Sequence, residues 1–143
     1  IILSMRHPCD TVLSCFFSNF KINEAMINFL DLKDSVNFYN NTFELFEIYN
    51  KSLKLEFLTV KYEDLVVSFE QTLNKVLNFL SLKYEKKLNK FYETARNRKK
   101  INTPSYNQVT EPLYKTSINR WKNFEDVIFL KKDLKKWIKK FDY

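Results

Sequence analysis

Arg6 and Ser14, eight residues apart, sit in the most chemically suggestive stretch of the chain, IILSMRHPCDTVLSCFFSN at residues 1–19. Residues 1–5 are almost wholly apolar and carry no charge, which predicts a strand buried on both faces that delivers Arg6 at its C-terminal end. Pro8 suits the first position of a helix, where its preset φ helps and its missing amide is no loss. A helix starting there would turn its free first-turn amides back toward Arg6. A guanidinium beside a helix start, in the crevice beyond the carboxyl end of a strand, binds phosphate through charge and directed donors. Ser14 lies one turn beyond Asp10, so the two share a face. The same local pattern also suits a strand followed by an ordinarily capped helix with a surface arginine.

The run R-H-P-C-D-x-x-x-S resembles the 3′-phosphate motif of sulfotransferases that use 3′-phosphoadenosine 5′-phosphosulfate (PAPS), in which an Arg and a Ser eight residues later hold the nucleotide's 3′-phosphate. Arg6 and Ser14 match that spacing. The longer run R-H-P-C-D-T-V-L-S-C-F-F-S-N-F is similar in particular to bacterial sulfotransferases whose catalytic domain often follows tetratricopeptide repeats, and more distantly to tyrosylprotein sulfotransferases. The latter carry a basic residue near Ser18 and Asn19 that strengthens the 3′-phosphate grip; this chain has none there, and Lys21 is the nearest substitute.

The chain has 143 residues, 45% of them hydrophobic, enough for one domain with its own core. It opens on Ile within an apparent strand, and is therefore read as the C-terminal part of a longer protein. Glycine is absent where ordinary proteins carry roughly 7%. Lys, Asn, Phe, Tyr and Ile abound instead, as codon choice in an AT-rich genome would produce, so the net charge of +7 is weak evidence for a partner. The four arginines, Arg6, Arg96, Arg98 and Arg120, are more informative, because Arg is suited to bidentate phosphate recognition. Cys9 and Cys15 lie six apart on one proposed helix and cannot bridge each other, which fits a reducing cytoplasm. With His7 as the one histidine no zinc site is expected, and no apolar run approaches the roughly 20 residues of a membrane span.

Asn23 is placed to cap a short turn over residues 24–31, and a long helix is predicted over 32–53 from the spacing of Leu32, Val36, Tyr39, Phe43, Phe46 and Leu53. This aromatic stripe reads as packing rather than base stacking. Residues 55–60 predict a second strand, joined to the first by a right-handed crossover. Next come an amphipathic helix marked by Val66, Phe69, Leu73, Val76, Leu77 and Leu80, and another marked by Tyr84, Leu88, Phe91, Tyr92 and Ala95 that ends in a basic cluster. An irregular stretch over 101–112 has the length of a lid or binding segment, or of a linker, although Ile101, Tyr106 and Val109 give it apolar anchors. The last helix pattern runs from Phe124 to Phe141, with Lys131, Lys132, Lys135, Lys136, Lys139 and Lys140 on a solvated opposite face.

Two further stretches extend the resemblance. The run V-x-Y-E-D-L resembles the segment that sulfotransferases place after a central strand, which implies that Tyr62 leans on the adenosine. Read without the family, Tyr62 is a strand-end aromatic packed under the next helix. N-T-P-S-Y-N-Q-V-T-E-P-L-Y-x-x-S-x-x-R-W resembles the segment that closes over the nucleotide in the bacterial group; Ser105, Gln108, Val109, Arg120 and Trp121 match in order and spacing. The resemblance implies that Ser105 donates to phosphate, Arg120 adds charge, Trp121 anchors the segment from beneath, and Arg98 and Lys99 add phosphate contacts.

The expected fold is α/β, the C-terminal part of a P-loop-like sulfotransferase domain, mostly helical with a remnant parallel sheet of about two strands. Residues 1–143 then form a partial domain that holds the 3′-phosphate. The family's phosphosulfate loop and catalytic base lie upstream of these motifs, so no catalytic residue is assigned and the fragment is expected to be inactive alone. PAPS is the implied cofactor, PAP its product, and a hydroxyl or amine of unknown class the acceptor; upstream tetratricopeptide repeats fit the same resemblance. Two other readings stay open. A basic nucleic-acid-binding module would interleave basic and aromatic residues on one surface, and a helical interaction module would leave Arg6, Ser14 and Ser105 without a reason to converge.

Overall fold

A computed structural model describes residues 1–97, 110–124 and 128–143. Strand β1 (Ile2–Met5) pairs in parallel with β2 (Leu58–Lys61), in a register that sets Ile2 against Leu58 and Met5 against Lys61. Parallel strands need a long crossover. Here it is helix α1 (Pro8–Phe16), a 3₁₀ turn over Met26–Phe29 and helix α2 (Leu32–Leu53). The Asn23 carboxamide accepts from the amides of Ala25 and Met26 and so starts the short turn. Asp31 caps α2 in the same way, accepting from Lys33 at 2.7 Å and Asp34 at 3.1 Å. The fold is thus α/β, mostly helical with a two-stranded parallel sheet.

Beyond β2, the helix expected through Leu80 is two helices, α3 (Tyr62–Val67) and α4 (Phe69–Phe79). Ser68, at φ −133° and ψ 58°, ends one and begins the other. The expected helix from Tyr84 to Ala95 is likewise a 3₁₀ turn over Lys86–Lys90 followed by α5 (Phe91–Arg96). The C-terminal pattern divides into α6 (Ile128–Asp133) and α7 (Lys135–Lys140) around Leu134, at φ −100° and ψ 7°. Each break falls between apolar positions that keep their helical spacing across it, so periodicity alone does not register it.

The core lies where α1 and α2 meet the C-terminal helices. Leu130, Leu134 and Trp137 are fully buried among Cys9, Val12, Leu13, Val36 and Tyr39. The Trp137 indole N–H donates to the Asn40 side-chain oxygen at 2.8 Å, and Phe43 packs against both Trp137 and Phe141. The packing stripe of α2 is shorter than expected, because Leu53 is exposed. Two of the C-terminal lysines also reach back to α2: Lys136 pairs with Glu44 and Lys140 with Glu47. That face is exposed and partly ion-paired at once.

Candidate functional site

Arg6 leaves the end of β1 and His7 turns the chain into α1. His7 Nδ1 accepts from the Cys9 amide at 3.2 Å, and its carbonyl accepts from the Thr11 amide at 3.0 Å. The Thr11 bond is the first of the helix's own ladder; of the amides before it, that of Cys9 is taken by His7, that of His7 donates to Glu63 and Pro8 has none, so this helix end is largely engaged within the chain where free amides facing Arg6 were expected.

Four of the six expected residues line one cavity of about 200 Å³: Arg6, Ser14, Tyr62 and Arg120, joined by Phe91, Leu113, Tyr114 and Ser117. Arg98 and Ser105 lie outside the described residues, as do Lys99, Gln108 and Val109. The Arg6 guanidinium donates through Nη2 to the Ser117 carbonyl at 2.5 Å and lies 5.3 Å from the centre of the Tyr62 ring. Its Nε is buried and has no hydrogen-bond partner among the described residues. Tyr62 is half-buried and donates through its hydroxyl to the Tyr114 carbonyl at 3.2 Å. Burial first, and the Tyr114 phenol second, push the Tyr62 phenol up, so it remains a neutral donor.

Arg120 arrives from far along the chain. It opens a 3₁₀ turn (Arg120–Asn123) whose preceding residue, Asn119, adopts left-handed φ 57°. Asp10, its side chain completely buried on α1, holds this turn: Oδ2 accepts from the Asn119 amide and Oδ1 from the Trp121 amide, each at 2.8 Å. Trp121 stacks on His7 at 5.3 Å with an 18° tilt between the rings, which fixes it against the start of α1. The Arg120 guanidinium lies 5.7 Å from the centre of the ring of Phe17, the residue that ends α1, three positions beyond Ser14.

Glu63 ties the two strand ends together. It accepts from the His7 amide at 2.9 Å through Oε1 and from the Tyr143 hydroxyl at 3.1 Å through Oε2. Burial lowers the pKa of His7 against the opposing pull of Asp10 and Glu63, which favours the neutral imidazole whose Nδ1 can accept from Cys9.

Sequence reasoning did not assign Tyr114, Ser117 or Asp10 to the site. Tyr114 and Ser117 stand inside the Y-x-x-S-x-x-R-W string, so their spacing from Arg120 was an available signal. Asp10 stands in the R-H-P-C-D run and on the Ser14 face, but its role was hidden because its partners lie 109 and 111 residues away. A larger cavity of about 460 Å³, with Phe46, Phe57, Phe141 and the Glu47–Lys140 pair in its wall, contains no arginine and none of the motif residues. Among the described residues no group of three His, Cys, Asp or Glu is placed to hold a metal, and no helix is long and apolar enough to cross a membrane.

A family model described as "Sulfotransferase family" matches residues 1–86. The matched span contains Arg6, Ser14 and Tyr62, while Arg120 lies beyond it. No curated protein matches the chain.

Proposed function

Since the chain belongs to the sulfotransferase family, we propose that the cavity between α1 and the Arg120 turn holds the ribose 3′-phosphate of PAPS, in an enzyme that transfers a sulfuryl group to an acceptor hydroxyl or amine. The observation that carries this reading is the convergence of Arg6 and Ser14, from the N-terminal motif, with Arg120, more than a hundred residues along the chain, in the wall of one cavity. Two cations and a hydroxyl suit a phosphate dianion. At about 200 Å³ the cavity is smaller than the roughly 300–1,000 Å³ of sites that enclose whole small molecules, which suits one phosphorylated end of a nucleotide.

When bound, PAPS supplies the activated sulfuryl group, and its bisphosphate remainder leaves as PAP. The residues of this chain bind and orient. Arg6 and Arg120 balance the 3′-phosphate charge, Ser14 donates a hydrogen bond, and Tyr62 flanks the nucleotide while keeping the Arg6 plane in place. A glycine-rich phosphate loop cannot be built from a chain without Gly, so the role proposed here is nucleotide holding. Ser105 and Arg98 are proposed as further phosphate contacts on the resemblance alone, and the similarity to bacterial tetratricopeptide-associated enzymes is the ground for placing the protein in that subgroup.

The test compares PAP with AMP by calorimetric titration and thermal shift. PAP should bind more tightly by about tenfold or more, since one charge-assisted contact contributes roughly 1.5–3 kcal/mol and each 1.4 kcal/mol is tenfold. Arg6→Ala should remove the preference. Equal binding of the two nucleotides to the wild type would sink the reading.

A further inference from the structure

The site contains an acid where an anion is to bind. Asp10 lies 4.0 Å from the Arg6 guanidinium, its side chain has no exposed surface, and it shares a crevice with Arg6, Ser14 and Arg120. A carboxylate there opposes a phosphate and competes for Arg6, so packing alone does not account for an acid at this position. Its hydrogen bonds do: the two oxygens take the amides on either side of Arg120, one bond each, at 2.8 Å. Arg6 spends its closest contact on Ser117, at 2.5 Å, rather than on Asp10. The carboxylate is thus engaged mainly by the turn that carries Arg120.

We propose that Asp10 is a positioning residue which, by clamping the amides of Asn119 and Trp121, presents Arg120 beside Arg6 and Ser14 and so sets selectivity for the 3′-phosphate. The proposal rests on the reading of this cavity as the 3′-phosphate site. Asp10 itself does not touch the ligand. The left-handed backbone at Asn119 has the same origin: both flanking amides point at one carboxylate only if the chain turns sharply between them.

The experiment is a double-mutant cycle on the 143-residue chain with Asp10→Asn, Arg120→Ala and the pair, titrated with PAP and with AMP. Asn keeps one acceptor oxygen but turns a donor toward the second amide, so the turn loses one of its two holds. Asp10→Asn should weaken PAP binding by about tenfold while changing AMP binding by less than about threefold, and the pair should be no worse than Arg120→Ala alone. Unchanged or tighter PAP binding in Asp10→Asn would overturn the proposal, as would additive effects, since both mean that Arg120 does not depend on the clamp. If Asp10→Asn does not fold, Asp10→Glu carries the same readout, because one extra methylene displaces the turn while keeping the charge. Amide exchange separates this failure from failure of the site itself. A wild type that does not prefer PAP refutes the 3′-phosphate reading, and the selectivity claim falls with it. The clamp is then judged by protection of the Asn119 and Trp121 amides, which Asp10→Asn should abolish at one of the two and weaken at the other.

Discussion

Glu63→Ala should cost the protein about 3 kcal/mol, and the figure follows from what the carboxylate holds. One oxygen accepts from the His7 amide at 2.9 Å and the other from the Tyr143 hydroxyl at 3.1 Å. Hydrogen bonds to a charged group contribute roughly 1.5–3 kcal/mol each, and because Glu63 is only half-buried the low end applies to both. The loss is a substantial part of the 5–15 kcal/mol that typically separates native from unfolded states, and corresponds to a fall in Tm of roughly 6–12 °C. Glu63→Gln keeps one carbonyl acceptor and should lose about half as much. Tyr143→Phe should match the glutamine variant and add little to Glu63→Ala, since the two remove the same bond. Urea unfolding followed by far-UV circular dichroism measures all four. A Glu63→Ala protein within about 0.5 kcal/mol of wild type, or full additivity with Tyr143→Phe, would show that the carboxylate does not join the strand ends.

Burial lowers the pKa of His7 below its ordinary 6.5, so the unfolded chain takes up a proton more readily than the native one. The stability due to neutral His7 is present above pH 6.5 and is lost as pH falls from there through the lowered native value, so acidification should shift the urea midpoint of the wild type downward more than that of His7→Asn; equal shifts would refute it. Trp137→Phe removes the bond to Asn40 and part of a fully buried ring, and should destabilise by about 2–3 kcal/mol, with a loss below about 0.5 kcal/mol counting against the core assignment. Burial pushes the Cys9 thiol up to about 12 and also raises Cys15, which is only half-buried. An aromatic disulfide reagent at mildly alkaline pH should therefore react with native Cys15 first and with Cys9 only on unfolding; native Cys15→Ser protein that still reacts promptly would contradict this.

Local chemistry was legible in the sequence wherever a short segment carried its own reason. Pro8 set the start of α1, Asn23 and the α2 periodicity set the turn and the helix over Leu32–Leu53, and the two apolar runs became paired parallel strands, although the second begins at Leu58 rather than residue 55 and the first, with Ile2 exposed, is not buried on both faces. The breaks at Ser68 and Leu134 were not legible, because Val66, Phe69 and Leu73, and again Leu130, Leu134 and Trp137, hold helical spacing through them. Leu53 has the right period and no facing partner, so spacing marked it as core where three-dimensional packing leaves it exposed. At the site, the motif residues Arg6, Ser14, Tyr62 and Arg120 line one cavity, while Trp121 packs on His7 outside it. The engaged amides at the start of α1 were hidden, because whether His7 caps the helix or turns away depends on Glu63 and Trp121, neither of which is near in sequence.

Without glycine, the turns of this chain that need left-handed backbone use residues with side chains. Among the described residues left-handed backbone falls to Lys54, Ser81, Asn119 and Asp142, at φ between 48° and 57°; at Lys54 and Ser81 a side chain costs roughly 1–2 kcal/mol that Gly would avoid, while Asn and Asp tolerate the region more readily. At Lys54 the position ends a helix with one bond to the Asn50 carbonyl. At Asn119 it lies beside Arg120, and the turn is held by two charge-assisted bonds to a carboxylate that is fixed on α1. A glycine there would relax the turn locally and make it less dependent on Asp10. The observed residues do the opposite: they make the direction of Arg120 a consequence of tertiary contacts, so that the cavity forms only when α1 and the C-terminal segment are docked together.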